Sequence, residues 1–305
     1  MKKDSYIYIA GHNGLVGNSI LRALKKNGFT NLLTINRSQL DLTNSEEVSK
    51  FFSKNKIDYV FDAAAKVGGI KANDNYSAEF IFENTMIQSN LIHYSYKNNI
   101  KKILFLGSVC IYPKFAPTPI KEKSLLCGEL EPTNEAYAIA KIHGIQLLKS
   151  YYKQYGLKSV SLMPCNLYGP NDNYHPNNSH VIPGLIRKFH HATGEIIECW
   201  GDGTPLREFL YVDDFAEACL FAMLNYEKAE HINVGSGSEI TIKELAKLIA
   251  EITGFKGKIS WDKTSPNGTP KRLLDSSNIK SLGWKSKYKL KEGLQLAYEF
   301  YKNYY

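Results

Sequence analysis

The five cysteines, at 110, 127, 165, 199 and 219, contain no Cys-x-x-Cys pair and no zinc spacing. Their odd number leaves a disulfide framework incomplete, so a reducing, cytoplasmic setting and no metal site are expected. Long apolar runs are also missing. Nothing approaches the roughly 18 residues of a membrane helix, and the run that follows Met1-Lys2-Lys3 covers only 6–10 before Gly11 interrupts it, too short for a secretion signal. A soluble protein with no membrane partner is expected. The net charge of +8 would suit a polyanion, but the 38 lysines and arginines are interspersed with 30 acidic residues. There is no basic block or arginine-rich helix, so no nucleic-acid partner is expected. A few of these cations could serve a phosphorylated small molecule. Internal repeats and low-complexity tracts are absent too.

What is present begins with the apolar run at 6–10, followed at once by Gly11-His12-Asn13-Gly14-Leu15-Val16-Gly17 and an amphipathic stretch that closes at Asn27-Gly28. Strand, glycine turn and helix together form a phosphate-binding context. Gly11 and Gly14 permit a tight turn and close approach to a pyrophosphate, and Gly17 lets the helix pack on the strand. A second strand at 32–35 ends at Asn36-Arg37, where NAD-binding chains place an acid for the ribose hydroxyl. Arg37 suits a 2′-phosphate instead, which favours NADP over NAD, the alternative being a surface arginine after a strand. Asp41 and Leu42 would reach the adenine side. The next strand, 59–65, ends in Ala63, Ala64 and Ala65, small enough for a cofactor to lie against.

A helical pattern at 78–98 precedes a strand at 102–106 that delivers Ser108 to the carboxyl edge of a sheet, where open α/β folds bind ligands. Tyr137 and Lys141 stand four apart in a helical run that stops at Tyr155-Gly156, so both leave one face. A lysine ammonium beside a phenol is expected to lower the tyrosine pKa from about 10 and make it a proton donor near neutrality. Packing plus a solvated charge is the commoner origin of such a pair. A strand at 159–163 opens onto Pro164-Cys165-Asn166-Leu167. Strands alternating with helices over this length imply the α/β class with a doubly wound parallel sheet. The composition shifts after Pro170. An asparagine-rich loop at 171–179 leads to His180-Val181-Ile182-Pro183 and a basic amphipathic helix with Arg187 and Lys188. A turn after Trp200 leads to Arg207 and on to Asp213-Asp214, where an aspartate is expected to cap the next helix. One more strand is expected at 231–235, then a tail of two helical stretches around a loop at 265–272. The expected division is a cofactor domain of 1–165 with about 207–235, and a smaller, discontinuous substrate lobe of 166–206 with 236–305.

Ala63 to Ile70, Cys110-Ile111-Tyr112-Pro113, Glu131-Pro132-Thr133-Asn134-Glu135, the segment 171–183 and the segment 200–214 carry a resemblance to the GDP-L-fucose synthase family of extended short-chain dehydrogenase/reductases that runs nearly end to end. The resemblance implies a Rossmann fold with Ser108, Tyr137 and Lys141 as the reductase triad. It also implies NADPH held by the glycine turn (Gly11, Asn13, Gly14, Leu15, Val16, Gly17), Arg37, Asp41, Leu42, Ala63, Ala64, Ala65, Pro164, Asn166 and Leu167. Cys110 and His180 would be the acid/base pair that exchanges protons at C3 and C5 of a GDP-linked 4-keto-sugar. Ser108, Val109, Cys110, His180 and Val181 would face the sugar, with Asn166, Lys188, Trp200, Arg207 and Arg272 along the GDP-sugar. Family members pair as homodimers through the two long helices of the first lobe. Val109 stands where many members have a serine, Asn13 where bacterial members often have an arginine, and Cys165 where a threonine is usual. Because some relatives reduce GDP-4-keto-heptoses without epimerising them, hexose versus heptose and bifunctional versus reductase-only both stay open. An NAD-dependent 4-epimerase is disfavoured by Arg37, and a non-catalytic nucleotide-sensing module by the intact triad.

Overall fold

The computed structural model describes residues 1–176, 178–264 and 269–305, so the loop expected at 265–272 falls partly outside the described residues. In the first part of the chain β1 (Ile7–Ala10), α1 (Leu15–Lys26), β2 (Leu32–Leu33), α2 (Ser45–Lys54), β3 (Tyr59–Asp62), α3 (Ile70–Asn75), α4 (Ser77–Lys97) and β4 (Lys102–Leu106) alternate. Then come α5 (Glu135–Tyr155), β5 (Ser159–Pro164), β6 (Asn166–Tyr168), α6 (Val181–His190), β7 (Ile196–Trp200) and β8 (Leu206–Tyr211). The remainder is α7 (Val212–Asn225), β9 (Ile232–Val234), β10 (Glu239–Thr241), α8 (Ile242–Thr253), β11 (Lys258–Asp262), β12 (Lys271–Arg272), α9 (Ser277–Ser281) and α10 (Leu290–Tyr304).

Six parallel strands run in the order β2-β1-β3-β4-β5-β9. Helices cover both faces, which is why β4 and β5 are buried along their whole length, Lys102, Ser159 and Ser161 included. α4 packs along α5, and α1 along α7. The chain leaves β1 toward β2 on one side and returns to β3 on the other, so the crevice between the carboxyl ends of β1 and β3 is the switch point where ligands bind in such sheets. The doubly wound α/β architecture is the one expected.

The second lobe has its own core, in which Tyr168, Ile186, Phe189, Leu245, Ile249 and Leu294 are buried. β8 is its central strand. It pairs with β6, β10 and β12, while β7 pairs with β11. The chain therefore rejoins the first sheet only after β8, through α7 and β9. The tail has the helical stretches expected on either side of the loop, α8 before it and α9 and α10 after it, and adds β11 ahead of the loop and β12 at its end. Leu274, Ile279 and Trp284 return to the core of the first lobe. Asp214 does not cap α7. Its carboxylate accepts the Lys287 and Tyr288 N–H groups, each at 2.9 Å, and so fastens the tail to α7. β2 is shorter than expected, and β3 stops at Asp62, which leaves Ala63, Ala64 and Ala65 as a strand-end loop. Among the described residues no helix is long and apolar enough to cross a membrane.

Candidate active site

The glycine turn meets β3 at the switch point. A Cβ on Gly11 would stand 2.5 Å from the Ala63 carbonyl oxygen, and Gly11 has a φ of +75° that disfavours any other residue. A Cβ on Gly17 would run into the Gly11 carbonyl oxygen, so α1 sits down on the turn only because that atom is missing. Gly14 is the N-cap of α1, with no acidic side chain in the first turn, and leaves the helix N-terminus open to an anion. Leu15 and Val16 begin that helix. Asn13 donates to Asn36 Oδ1 at 2.8 Å and holds the turn against the end of β2. Arg37 is exposed and pairs with Glu83 Oε2 at 3.1 Å. Asp41 accepts from the Thr43 N–H and hydroxyl, which hold its carboxyl below the usual range. Leu42 accepts from Asn90 through its carbonyl. A tight glycine cradle, a bare helix N-terminus and a strand-end arginine that can be released from its acid fit an NADP-type dinucleotide.

Ser108 follows β4, and its hydroxyl accepts the Cys110 N–H at 3.2 Å, capping a short 3-10 turn. α5 brings Tyr137 and Lys141 to the same edge. The Lys141 ammonium is buried and lies over the Phe105 ring, 4.8 Å from its centroid, and 5.8 Å from that of Tyr137. The phenol does not behave as the sequence suggested. Burial, and then the nearby Cys110, push it above its ordinary pKa. The lysine itself is lowered to about 8 by burial, with the Asp62 carboxylate pulling the other way. Asp62 is 2% exposed at the end of β3 and is raised to about 6 by burial, against the pull of Lys141 and the Ala64 N–H. Asp62 was missed, although an acid inside the apolar run Val60-Phe61-Asp62-Ala63 is a readable signal.

Cys110 is half-buried and receives a hydrogen bond from Asn134 Nδ2 at 3.5 Å. Val109 is 6% exposed and packs into the main core beside Cys110. His180 is the N-cap of α6 and is exposed, and desolvation of its ring lowers its pKa. Val181 begins α6. Gly69, in the loop before α3, abuts the segment that carries His180, for its Cβ would stand 3.0 Å from the Ser179 carbonyl oxygen.

The sugar-lobe cations gather on the second sheet. Arg207 and Arg272 are register partners on β8 and β12. Arg207 donates to the Leu206 carbonyl oxygen at 2.9 Å and Arg272 to the Thr269 hydroxyl at 3.4 Å. Among the described residues neither pairs with a carboxylate. Burial and then the Arg272 charge push Arg207 down to about 10. Two neighbouring guanidinium groups without an acid between them form a site for an anion. Thr269 also donates to Glu131, which pairs with Lys114 at 3.2 Å, so the loop ahead of α5 is tied to this sheet. Lys188 is exposed at the end of α6 and is held by the Glu198 carbonyl beside Trp200. Asn166 donates to the Glu208 carbonyl at 2.9 Å, and Pro164 and Leu167 flank it where β5 passes into β6.

A strand-end serine facing a helical tyrosine-lysine pair, beside a glycine turn at the switch point of a parallel sheet, defines a short-chain dehydrogenase/reductase. The model of the NAD dependent epimerase/dehydratase family matches residues 7–235. The chain is 56% identical over 304 residues to the putative GDP-L-fucose synthase 2 of Arabidopsis thaliana, covering 99% of this chain and 93% of that protein. It is 50% identical over 307 residues to the GDP-L-fucose synthase of Escherichia coli strain K12, covering 97% and 96%. A solved GDP-mannoheptose C4 reductase from Campylobacter jejuni with NADP bound superposes with a TM-score of 0.92 at 40% identity, covering 99% of each chain. The chain belongs to the NAD dependent epimerase/dehydratase family, and within it to the GDP-L-fucose synthase family of extended short-chain dehydrogenase/reductases.

Proposed function

We propose that the chain is an NADPH-dependent 4-reductase of a GDP-4-keto-sugar that epimerises C3 and C5 before it reduces. The observation that carries this reading is the meeting of Ser108, Tyr137 and Lys141 with a thiol at one sheet edge, close to a lobe that holds two paired arginines. Bound NADPH supplies a hydride to C4. Ser108 and Tyr137 hold the ketone oxygen, and Tyr137 yields its proton as that oxygen becomes an alkoxide. A phenol above its ordinary pKa keeps this proton until then, and the Lys141 charge stabilises the phenolate left behind. The protons at C3 and C5 are acidic only while C4 is a ketone, so exchange by Cys110 and His180 must precede reduction. A lowered pKa keeps the His180 imidazole neutral and able to accept a proton. Arg207 and Arg272 take the pyrophosphate, Trp200, Lys188 and Asn166 the rest of the GDP-sugar, and Arg37 the 2′-phosphate of the cofactor.

A second reading, reduction of a GDP-4-keto-heptose without epimerisation, is supported by the structural likeness to the heptose reductase. Incubation with NADPH in deuterated water, first with GDP-4-keto-6-deoxy-mannose and then with its heptose analogue, decides between them. Deuterium at C3 and C5 supports the first reading, whereas NADPH consumption with unlabelled product refutes it. Loss of NADPH oxidation in Tyr137→Phe tests the triad itself. The α4–α5 face, where Tyr152 and Tyr155 are exposed, is the expected homodimer contact. A scattering mass near the single-chain 34.5 kDa refutes that assembly.

A further inference from the structure

Asn134 precedes α5 and stands one turn before Tyr137. Asparagine is among the best N-cap residues because its side chain can satisfy a free helix N–H, yet here the side chain makes no cap bond. It turns to Cys110 instead, donating from Nδ2 to Sγ at 3.5 Å. Its Oδ1 is buried and has no partner among the described residues. Buried carbonyl oxygens are almost always bonded, so an unused acceptor beside a catalytic thiol calls for a donor that arrives with the ligand. The other polar groups facing Cys110 are the Ser108 hydroxyl, on its own turn, and the Tyr137 phenol from α5.

We propose that Asn134 is the positioning residue for Cys110. Its Nδ2–H steadies the thiolate, and its Oδ1 accepts the hydroxyl carried by the sugar carbon that Cys110 deprotonates. Of the two exchanging carbons only C3 bears a hydroxyl, so the pairing assigns Cys110 to C3. The C3–H proton passes to sulfur and its electron pair to the C4 enolate; inversion follows when the other member of the acid/base pair, His180, returns a proton to the opposite face of C3 and the C4 ketone re-forms. The inference rests on the reading of Cys110 as an epimerising base.

Two measurements on Asn134→Ala and Asn134→Ser test it. The first is iodoacetamide alkylation of the half-buried Cys110 in the unliganded chain, followed by peptide mass because Cys127 is exposed. Loss of the amide donor is expected to slow it about tenfold at pH 7, since the thiolate is the reactive form. The second is deuterium entry at C3 relative to reduction of a sugar that is already epimerised, a ratio expected to fall about tenfold. Asn134→Ser can cap α5, so it should melt no lower than the unaltered chain and still show both losses. Unchanged alkylation overturns the contact. Losses of exchange and reduction that track a lower melting temperature in both variants overturn the positioning role. An unaltered chain that admits no deuterium at C3 refutes the epimerase reading and with it the base role, while alkylation still decides the contact.

Discussion

Gly144 lies on α5 three residues after Lys141 and faces Phe105 of β4. A Cβ there would stand 2.5 Å from Phe105 Cζ and 3.0 Å from each Cε. Ordinary carbon–carbon contact is about 3.5 Å, so Gly144→Ala must shift the ring or the helix by about 1 Å. The same ring carries the Lys141 ammonium, and the displacement therefore reaches the triad. Overpacking a filled core costs about 1–3 kcal/mol, and alanine returns about 1 kcal/mol of helix propensity. The net of about 0–2 kcal/mol lowers the melting temperature by no more than about 8 °C in a chain of this size. Misplacing a catalytic group by about 1 Å lowers turnover on the order of 10²-fold. The expected signature is a large loss of kcat with a small loss of stability, read by NADPH oxidation and thermal unfolding. Gly156→Ala is the contrasting case: its φ is +73° with open space around it, so about 1 kcal/mol of stability is lost and kcat is kept. If Gly144→Ala retains kcat within threefold while folded, the link from ring to lysine is wrong.

Three further outcomes are expected. Burial holds Lys141 near 8, so its charge is present below that pH and lost above it. kcat/KM, which reports the free enzyme, should fall through pH 8, and a profile flat to about pH 9.5 refutes the assignment. From pH 8 up to the ordinary lysine value of about 10.4 the unfolded chain binds the extra proton, so this group makes native stability rise with pH across that window; Lys141→Met should remove the rise in chemical-denaturation titrations. Arg272→Ala should raise KM for the GDP-sugar by about 10- to 150-fold, the worth of a hydrogen bond to a charged group, without lowering the melting temperature, because it relieves a like-charge neighbour; an unchanged KM refutes the anion site. Arg37→Ala should raise KM for NADPH at least about tenfold and leave that for NADH, whereas Glu83→Gln, which frees Arg37 from its 3.1 Å ion pair, should tighten NADPH; a Glu83→Gln variant that weakens it refutes the exchange of partners.

The features legible in the sequence are those fixed by near neighbours in the chain. The glycine turn, the buried runs of β4 and β5, and α5 with its stop at Gly156 in the left-handed conformation follow from local geometry, and so does the arrival of Ser108 at the edge where Tyr137 and Lys141 emerge. What stayed hidden depends on distant partners. The phenol shift has the sign opposite to the expected one because burial by segments distant in the chain, and then Cys110, outweigh the lysine four residues on. The packing of Val109 into the main core, on the short 3-10 turn beside Cys110, is likewise set by neighbours far along the chain. Lys271 and Arg272 look like loop, and they become a strand only because β8 offers its edge. Asp214 has the sequence position of a helix cap, but the backbone of Lys287 and Tyr288 claims its carboxylate.

That last fastening, together with β12 and the return of Leu274, Ile279 and Trp284 to the first core, bears on how the molecule is made. At roughly 5–20 residues per second, the ribosome delivers the glycine turn and the triad well before these closing segments. Until they emerge, β8 has an open edge at Leu206–Arg207, and the first core lacks three of its buried apolar side chains. Both lobes therefore wait for the same tail, and the nascent chain keeps apolar surface exposed until that tail emerges. The cofactor crevice, built wholly from early segments, is the one part able to form first, and bound dinucleotide would then stabilise the half-made protein.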